Sequence, residues 1–443
     1  MTPKQDVRGL SQVGLRTQEP PISWLMSLAL AQPNLISLAA GFTDWETLPV
    51  KESKRLLDSL LRTHLRGQSS LQYGSTPGLP ELRQRTADHL FHLDQSALRE
   101  ATKCGSQRRS AEPDRSLYQP DRWVITHGSQ QLLYLVTEAL CDAGDLVLVE
   151  DPTYFVFVGI LQSHGVECRG IRMQVDGIDL VALEEVLETL CKKGQLRRLK
   201  LLYLVSYFQN PTGRTTSFAK KKAALKLLQR YEEKAGHRIY LLEDAAYREL
   251  RFSGGDIPSS LVLDGAKDRV IYTSTYSKPF ATGVRVGYGW LPPAVRQPVL
   301  RLKGNHDFGT SNLLQHLMLS ALETGVYEKH VARLCERYAR KAAWMIQAML
   351  VHLSGLEISW AFPGGGLYVW ATLPQRVRSG VSSKFFRRAM DQGVFYVPGR
   401  LCYAEDPTRR APDHELRLSF GSAKRAEIEA GIERLGRAAR GQG

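Results

Sequence analysis

The chain has 443 residues, 23% of them charged and 43% hydrophobic, with a net charge of +14. That length allows two domains and a large core, and the proportions are those of a globular enzyme rather than of a disordered or fibrous chain. There is no apolar run long enough to cross a bilayer, no apolar signal-peptide core at the N-terminus and no metal-ligand or redox spacing among the six cysteines, so a cytoplasmic protein with free thiols and no metal is expected.

The positive charge is spread over short clusters such as Lys192-Lys193, Lys220-Lys221-Lys222 and Arg409-Arg410. No helix-turn-helix, zinc-finger or RNA-binding pattern accompanies them, so a solvated basic surface is expected, with no nucleic-acid partner.

In chain order, residues 20–40 read as a helix and a short strand, with Trp24, Leu25, Leu28 and Leu35 in apolar spacing and Pro33-Asn34 as the break. Ala39-Ala40-Gly41-Phe42 is a loop, and helix signals resume over 51–66. A second loop, running from Leu71 through Tyr73 to Gly78, opens a helix at Leu79-Pro80 with proline in its first turn. The polar stretch 94–119 is expected to be mostly surface loop. Strands and helices then alternate, which is the pattern of a parallel sheet with crossover helices. Strands are predicted over 123–126, 146–149, 166–175, 201–205, 239–242 and 270–272, and helices over 132–140, 180–190 and 220–233. Two long helices follow over 313–322 and 327–353, the second linking the domains. Short strands over 367–370 and 416–420, with helices between and after, predict a smaller α+β domain. The fold class is therefore α/β.

In open α/β sheets, ligands sit beyond the carboxyl ends of the strands. Lys278 lies there, just past 270–272, amid small hydroxyl residues, with Arg285 following between Gly283 and Gly287. A lone Ser-Lys pair is an ordinary loop; the other strand ends change its meaning. Gly128-Ser129-Gln130 starts a helix directly after a strand, where free N–H groups and the helix dipole favour a phosphate. No Gly-Lys-Ser/Thr follows, so it is not a Walker loop. Arg285 and the hydroxyls of Ser274 and Ser277 are expected to complete the phosphate cup. Asp244 ends an apolar strand, and a buried carboxylate is costly unless paired. A protonated pyridine nitrogen would pair it and keep the ring an electron sink. Asn210 and Tyr247 suit the phenolic oxygen of such a ring, and Tyr154 its face. Arg417 alternates with Leu416, Leu418 and Phe420, so it points away from their face, where its planar fork suits a substrate α-carboxylate. Singly, these are a helix cap, a turn cap, a turn, a core tyrosine and a solvent-facing arginine. Jointly they are what pyridoxal 5'-phosphate bound as a Schiff base on Lys278 needs.

In this order, the stretches Leu71-Gln72-Tyr73-Gly74, Gly128-Ser129-Gln130-Gln131, Asp151-Pro152-Thr153-Tyr154, Asn210-Pro211-Thr212-Gly213, Glu243 to Tyr247, Ser277-Lys278 with Gly283 to Tyr288, Pro363 to Gly366 and Leu416 to Phe420 resemble the fold-type-I pyridoxal-phosphate aminotransferases. The group most similar is the class I/II enzymes acting on 2-aminoadipate, kynurenine and aromatic or branched-chain amino acids. The resemblance covers the chain from about residue 20 to the final helix. It implies an N-terminal arm (1–45) packing with a small C-terminal domain (327–443), a large cofactor domain (46–326) and a homodimer. It also implies that Gly41, Asn210 and Arg417 border the substrate and that Tyr73 reaches the cofactor phosphate of the other subunit. The activity implied is transfer of an amino group from an amino acid to a 2-oxo acid, by ping-pong kinetics through an imine on Lys278.

Three departures stand out. The loop Ala40-Gly41-Phe42-Thr43 replaces the group's glycine-glycine-leucine-proline; Arg400-Leu401-Cys402 replaces a small residue and an aromatic; and 94–119 exceeds the usual connection. The first two bear on the substrate rather than on the cofactor. Other reactions on the same cofactor, such as β-elimination or decarboxylation, use the same residues. The effector module of a transcription regulator reuses this fold, but about 20 residues ahead of the first matching helix are too few for a winged helix.

Overall fold

The computed structural model describes residues 9–21, 23, 24, 27, 35–103 and 112–440. Leu25, Leu28 and the Pro33-Asn34 break lie outside the described residues.

The chain passes through β1 (Ile36–Ser37) into two helices, Val50–Leu61 and His64–Leu71, where the sequence suggested one helical region. β2 (Trp123–Thr126), β3 (Leu146–Asp151), β4 (Glu167–Gln174), β5 (Gly177–Ile178), β6 (Leu199–Val205), β7 (Tyr240–Asp244), β8 (Val270–Thr275) and β9 (Gly287–Trp290) then form one sheet. Its order is β2-β9-β8-β7-β6-β3-β4-β5. The run from β4 through β3, β6 and β7 to β8 is parallel. Its central strands are apolar runs buried nearly throughout, because helices cover both faces.

β9 had no sequence forecast. It runs antiparallel between β2 and β8, and two of its four residues are glycines. Those glycines admit the helix Gly128–Leu140. A Cβ on Gly289 would stand 2.0 Å from Leu132, and one on Gly287 would stand 2.4 Å from the Gly128 backbone. The same close approach brings the start of that helix against the end of β8.

The expectation of a loop over 94–119 is overturned in its first part. The helix Pro80–Lys103 continues through it. Asp94 is fully buried on that helix, paired with Arg248 at 2.8 Å and accepting from the hydroxyls of Tyr118 and Ser259, each at 2.6 Å. Polar residues that look solvent-facing in sequence thus close an internal network. Two further helices carried no sequence signal. Phe155–His164 is almost wholly apolar and so shows no periodicity, and Pro293–Asp307 carries Pro298 inside it.

The 27-residue helix Val326–His352 leads into the small domain. There β10 (Ser359–Trp360), β11 (Tyr368–Thr372), β13 (Val397–Pro398) and β14 (Glu415–Ser419) pair antiparallel in the order β10-β11-β14-β13. β12 (Val394–Phe395) instead pairs parallel with β1, and Ser419 N–H donates to the Leu38 carbonyl at 2.7 Å. The segment leading to Gly41 is therefore stitched to the small domain. Among the described residues no helix is long and apolar enough to cross a membrane, and Cys141, Cys168, Cys191, Cys335 and Cys402 are free thiols.

Candidate active site

Asp244 is the last residue of β7 and is 3% exposed. The Tyr203 hydroxyl donates to its Oδ2 at 2.9 Å, and Ala246 N–H donates to Oδ1 at 3.0 Å. No basic side chain pairs with it among the described residues. Burial consequently pushes its carboxyl up to about 6.

Lys278 follows β8 by three residues, and its Nζ donates to the Gly41 carbonyl at 2.8 Å. No carboxylate pairs with it among the described residues. Burial holds its ammonium pKa below the ordinary lysine value; Tyr368 opposes this, and the charges of Arg285 and Arg417 reinforce it. A lysine so placed is readily neutral, which is the state a nucleophile or base requires.

A second cluster forms where the helix Gly128–Leu140 meets β9. Arg285, with a left-handed φ of 50°, donates from Nη1 to Ser277 Oγ at 3.3 Å. Its Nη2 lies 2.7 Å from where a Cβ of Gly128 would stand, so only glycine fits there. Ser129 is half-buried, and Gln130 lines a cavity of about 630 Å3 with Arg285 and Ser311. Ser274 is not brought to this cluster. Its hydroxyl donates to the Ala245 carbonyl at 3.1 Å, because alternation along β8 turns it away. The next residue, Thr275, accepts at Oγ1 from Ser277 N–H at 3.0 Å and pairs in register with Gly287.

Arg417 is 1% exposed. Its Nη1 donates to Asn210 Oδ1 and its Nη2 to the Ala39 carbonyl, both at 2.7 Å, while the buried Nε has no partner. Its guanidinium carbon lies 4.3 Å from the ring centroid of Tyr368 and 5.5 Å from that of Phe155. The Tyr247 and Tyr368 hydroxyls are 3.2 Å apart. Tyr154, just ahead of the helix Phe155–His164, has its phenol pushed up by burial and then by Tyr368 and Asp244. Tyr73 is not drawn into this cluster within the chain. It is 82% exposed and packs edge-on against Phe308, ring centroids 5.4 Å apart.

Thr275 and Tyr368, which lie in these clusters, were not among the candidates read from the sequence. Strand alternation around Lys278 would have separated Ser274 from Thr275, and the pairing of β11 with β14 places Tyr368 beside the strand of Arg417.

The sequence pattern described as aminotransferase class I and II matches residues 33–435. The chain belongs to this family. The aminotransferase is 31% identical to the 2-aminoadipate transaminase of Thermus thermophilus over 429 residues, which is 96% of this chain and 95% of that one. It is 30% identical to aromatic-amino-acid aminotransferase 1 of Thermococcus litoralis, over 91% of this chain and 87% of that one. The crystal structure of Pyrococcus horikoshii kynurenine aminotransferase, in complex with PMP, aligns at a TM-score of 0.84 and 28% identity over 98% of each chain. The family is pyridoxal-phosphate-dependent and of fold type I, so this aminotransferase is a transaminase of that fold.

The side chains present fit that cofactor. Asp244 is a buried carboxylate lacking a cation, as a protonated ring nitrogen would supply. Lys278 is a half-buried amine with no acid beside it among the described residues, and the N–H groups opening the helix Gly128–Leu140 face a fixed arginine across two glycines.

Proposed function

We propose that this aminotransferase moves the amino group of an α-amino acid to a 2-oxo acid by ping-pong kinetics, with pyridoxal 5'-phosphate carried on Lys278. The observation that carries this reading is a juxtaposition at adjacent strand ends: among the described residues, the carboxylate on β7 has no cation and the amine after β8 has no acid. The cofactor supplies an electron sink for the electrons left when the substrate Cα loses its proton.

Once the substrate amine has displaced it from the cofactor, Lys278 Nζ would be free to take the Cα proton as base and to give it back as acid. Burial favours the neutral amine that begins this cycle. Asp244 holds the ring nitrogen protonated. Tyr247 and the amide of Asn210 face the phenolic oxygen; Asn210 spends its carbonyl on Arg417, which leaves its NH2 free to donate. Ser129, Gln130, Ser277 and Arg285, with Thr275 in place of Ser274, hold the phosphate. Tyr154 covers the ring. Arg417 receives the substrate carboxylate, with the Gly41 loop beside it. The working unit is a homodimer in which Tyr73 serves the neighbouring subunit's phosphate.

Relatives named for 2-aminoadipate and for aromatic amino acids support an amino acid with a sizeable side chain as donor. The test mixes the purified enzyme with a panel of amino acids and follows the bound cofactor optically, then reduces the resting enzyme with borohydride. Label on the peptide containing Lys278 is expected. Label on a different lysine would remove the reading.

A further inference from the structure

Tyr368 opens β11 in the small sheet, yet its side chain reaches residues of the large domain. Its hydroxyl is 3.2 Å from that of Tyr247, and a methyl group on Gly41 would stand 2.7 Å from it. Its ring lies beneath the Arg417 guanidinium and is 2% exposed. The ring is thereby held by three residues that each face the reaction centre.

Either hydroxyl of the Tyr247–Tyr368 pair can donate. The cofactor reading above, on which this inference rests, fixes the direction. Tyr247 has one proton, and it goes to the phenolic oxygen of the cofactor. Tyr368 must then donate to Tyr247. A hydroxyl that accepts one hydrogen bond becomes a stronger donor in the next.

We propose that Tyr368 is a positioning residue for transamination: its hydroxyl donates to Tyr247 and so aims and strengthens the bond from Tyr247 to the cofactor's phenolic oxygen. Burial keeps the Tyr247 phenol protonated and able to donate. The other charged or titratable groups acting on Tyr247 are Tyr154 and Arg417, and those acting on Lys278 are Arg285 and Arg417. The ring of Tyr368 also supports Arg417, and in the register of β11 with β14 Trp370 lies opposite Arg417. One side chain thus touches both the carboxylate-binding arginine and the tyrosine that faces the phenolic oxygen.

The test is a pH titration of the holoenzyme's visible absorbance in four proteins: wild type, Tyr368→Phe, Tyr247→Phe and the double variant. Phenylalanine keeps the ring beneath Arg417. Weaker donation leaves more negative charge on the phenolic oxygen to hold the cofactor's acidic proton, so the midpoint rises. Tyr247→Phe should raise it by roughly 1–2 units, the loss of a charge-assisted hydrogen bond. Tyr368→Phe should raise it by roughly 0.2–0.5 unit, the cooperative share of that bond. The double variant should match Tyr247→Phe alone. An unmoved midpoint in Tyr368→Phe overturns the proposal, as does an equal shift in the Tyr247→Phe background. A wild-type protein with no visible chromophore overturns the cofactor reading itself, whereas a chromophore that responds to Tyr247→Phe but not to Tyr368→Phe removes this inference alone.

Discussion

Lys278 Nζ and the Gly41 carbonyl are 2.8 Å apart although 237 residues separate them in sequence. Gly41 follows the segment that β12 and β14 hold to the small domain, so Lys278 is tied to a loop anchored on that domain.

Gly41→Ala tests this tie. The added Cβ would stand 2.7 Å from the Tyr368 hydroxyl, closer than such atoms come, and either the loop or the ring must shift. Overpacking of this kind costs about 1–3 kcal/mol, and with that cost borne by the active geometry kcat/KM should fall roughly 5- to 150-fold. Adding Tyr368→Phe removes the clashing oxygen and leaves Cζ at 3.8 Å, so the double variant should recover part of the loss. Wild-type kcat/KM in Gly41→Ala would show that the loop moves aside freely.

Asp244 yields a prediction of opposite sign in the two states of the protein. Its folded carboxyl is raised from 3.8 to about 6, so the native state binds the proton more tightly than the unfolded chain. Stability of the cofactor-free protein is therefore lost as pH rises from 3.8 to about 6, by an amount on the order of 3 kcal/mol. Asp244→Asn does not titrate. With the cofactor removed it should unfold at a higher temperature than wild type at pH 8, and at the same temperature near pH 3. With the cofactor supplied the order should reverse, because the amide cannot pair with a protonated ring nitrogen. Thermal melts at both pH values, with and without pyridoxal phosphate, measure this. A cofactor-free Asp244→Asn protein less stable than wild type at pH 8 would mean the carboxylate has a cation after all.

The strand ends were legible because a buried parallel strand is a continuous apolar run, and the residue that breaks the run is conspicuous. Asp244 after Leu241-Leu242 and Lys278 after β8 were visible in this way. Short or irregular pieces were not. β9 has too many glycines to look like a strand, and Phe155–His164 is too apolar to show a helical face. Asp94 looked like the start of a polar loop because its partners, Arg248 and Ser259, lie more than 150 residues away. Tyr368 was invisible for the same reason. Nothing near it in sequence shows that it meets Tyr247, Gly41 and Arg417.

Arg417→Ala should leave the cofactor's absorbance intact and raise the amino-acid KM. The arginine is held flat by Asn210, Ala39 and the Tyr368 ring, which leaves its in-plane edge for a carboxylate. Charge-assisted hydrogen bonds are worth roughly 1.5–3 kcal/mol each, so a KM increase of about 10- to 100-fold is expected. Arg417→Lys should recover little, because a point charge cannot replace a planar fork. Amines lacking a carboxylate should be poor substrates of the wild type. If they react as well as amino acids, Arg417 has another task.

The last prediction concerns assembly. Tyr73 and Phe308 are 82% and 53% exposed, and Leu65 and Leu71 nearby in sequence are 80% and 67% exposed. Large apolar side chains grouped in this way mark an interaction surface. The Tyr73 loop is nevertheless fixed, because Asn312 Nδ2 donates to the carbonyls of Ser69 and Gln72 at 2.9 and 3.1 Å. A rigid loop that presents an unburied ring suits a symmetric interface, where each subunit lends a residue to the other. Sedimentation should therefore give a homodimer, and Tyr73→Phe should loosen the cofactor modestly. A mixed dimer of Tyr73→Phe and Lys278→Ala chains separates the two placements of the tyrosine. If it acts across the interface, one site carries both defects and the other neither. The dimer is then half-active, with wild-type cofactor affinity at the working site. If the tyrosine acts within its own chain, the only site with Lys278 also lacks the Tyr73 hydroxyl, and the surviving activity shows the weakened affinity of Tyr73→Phe. Cofactor titration of the isolated mixed dimer distinguishes the two outcomes, and the second would end the shared-site arrangement.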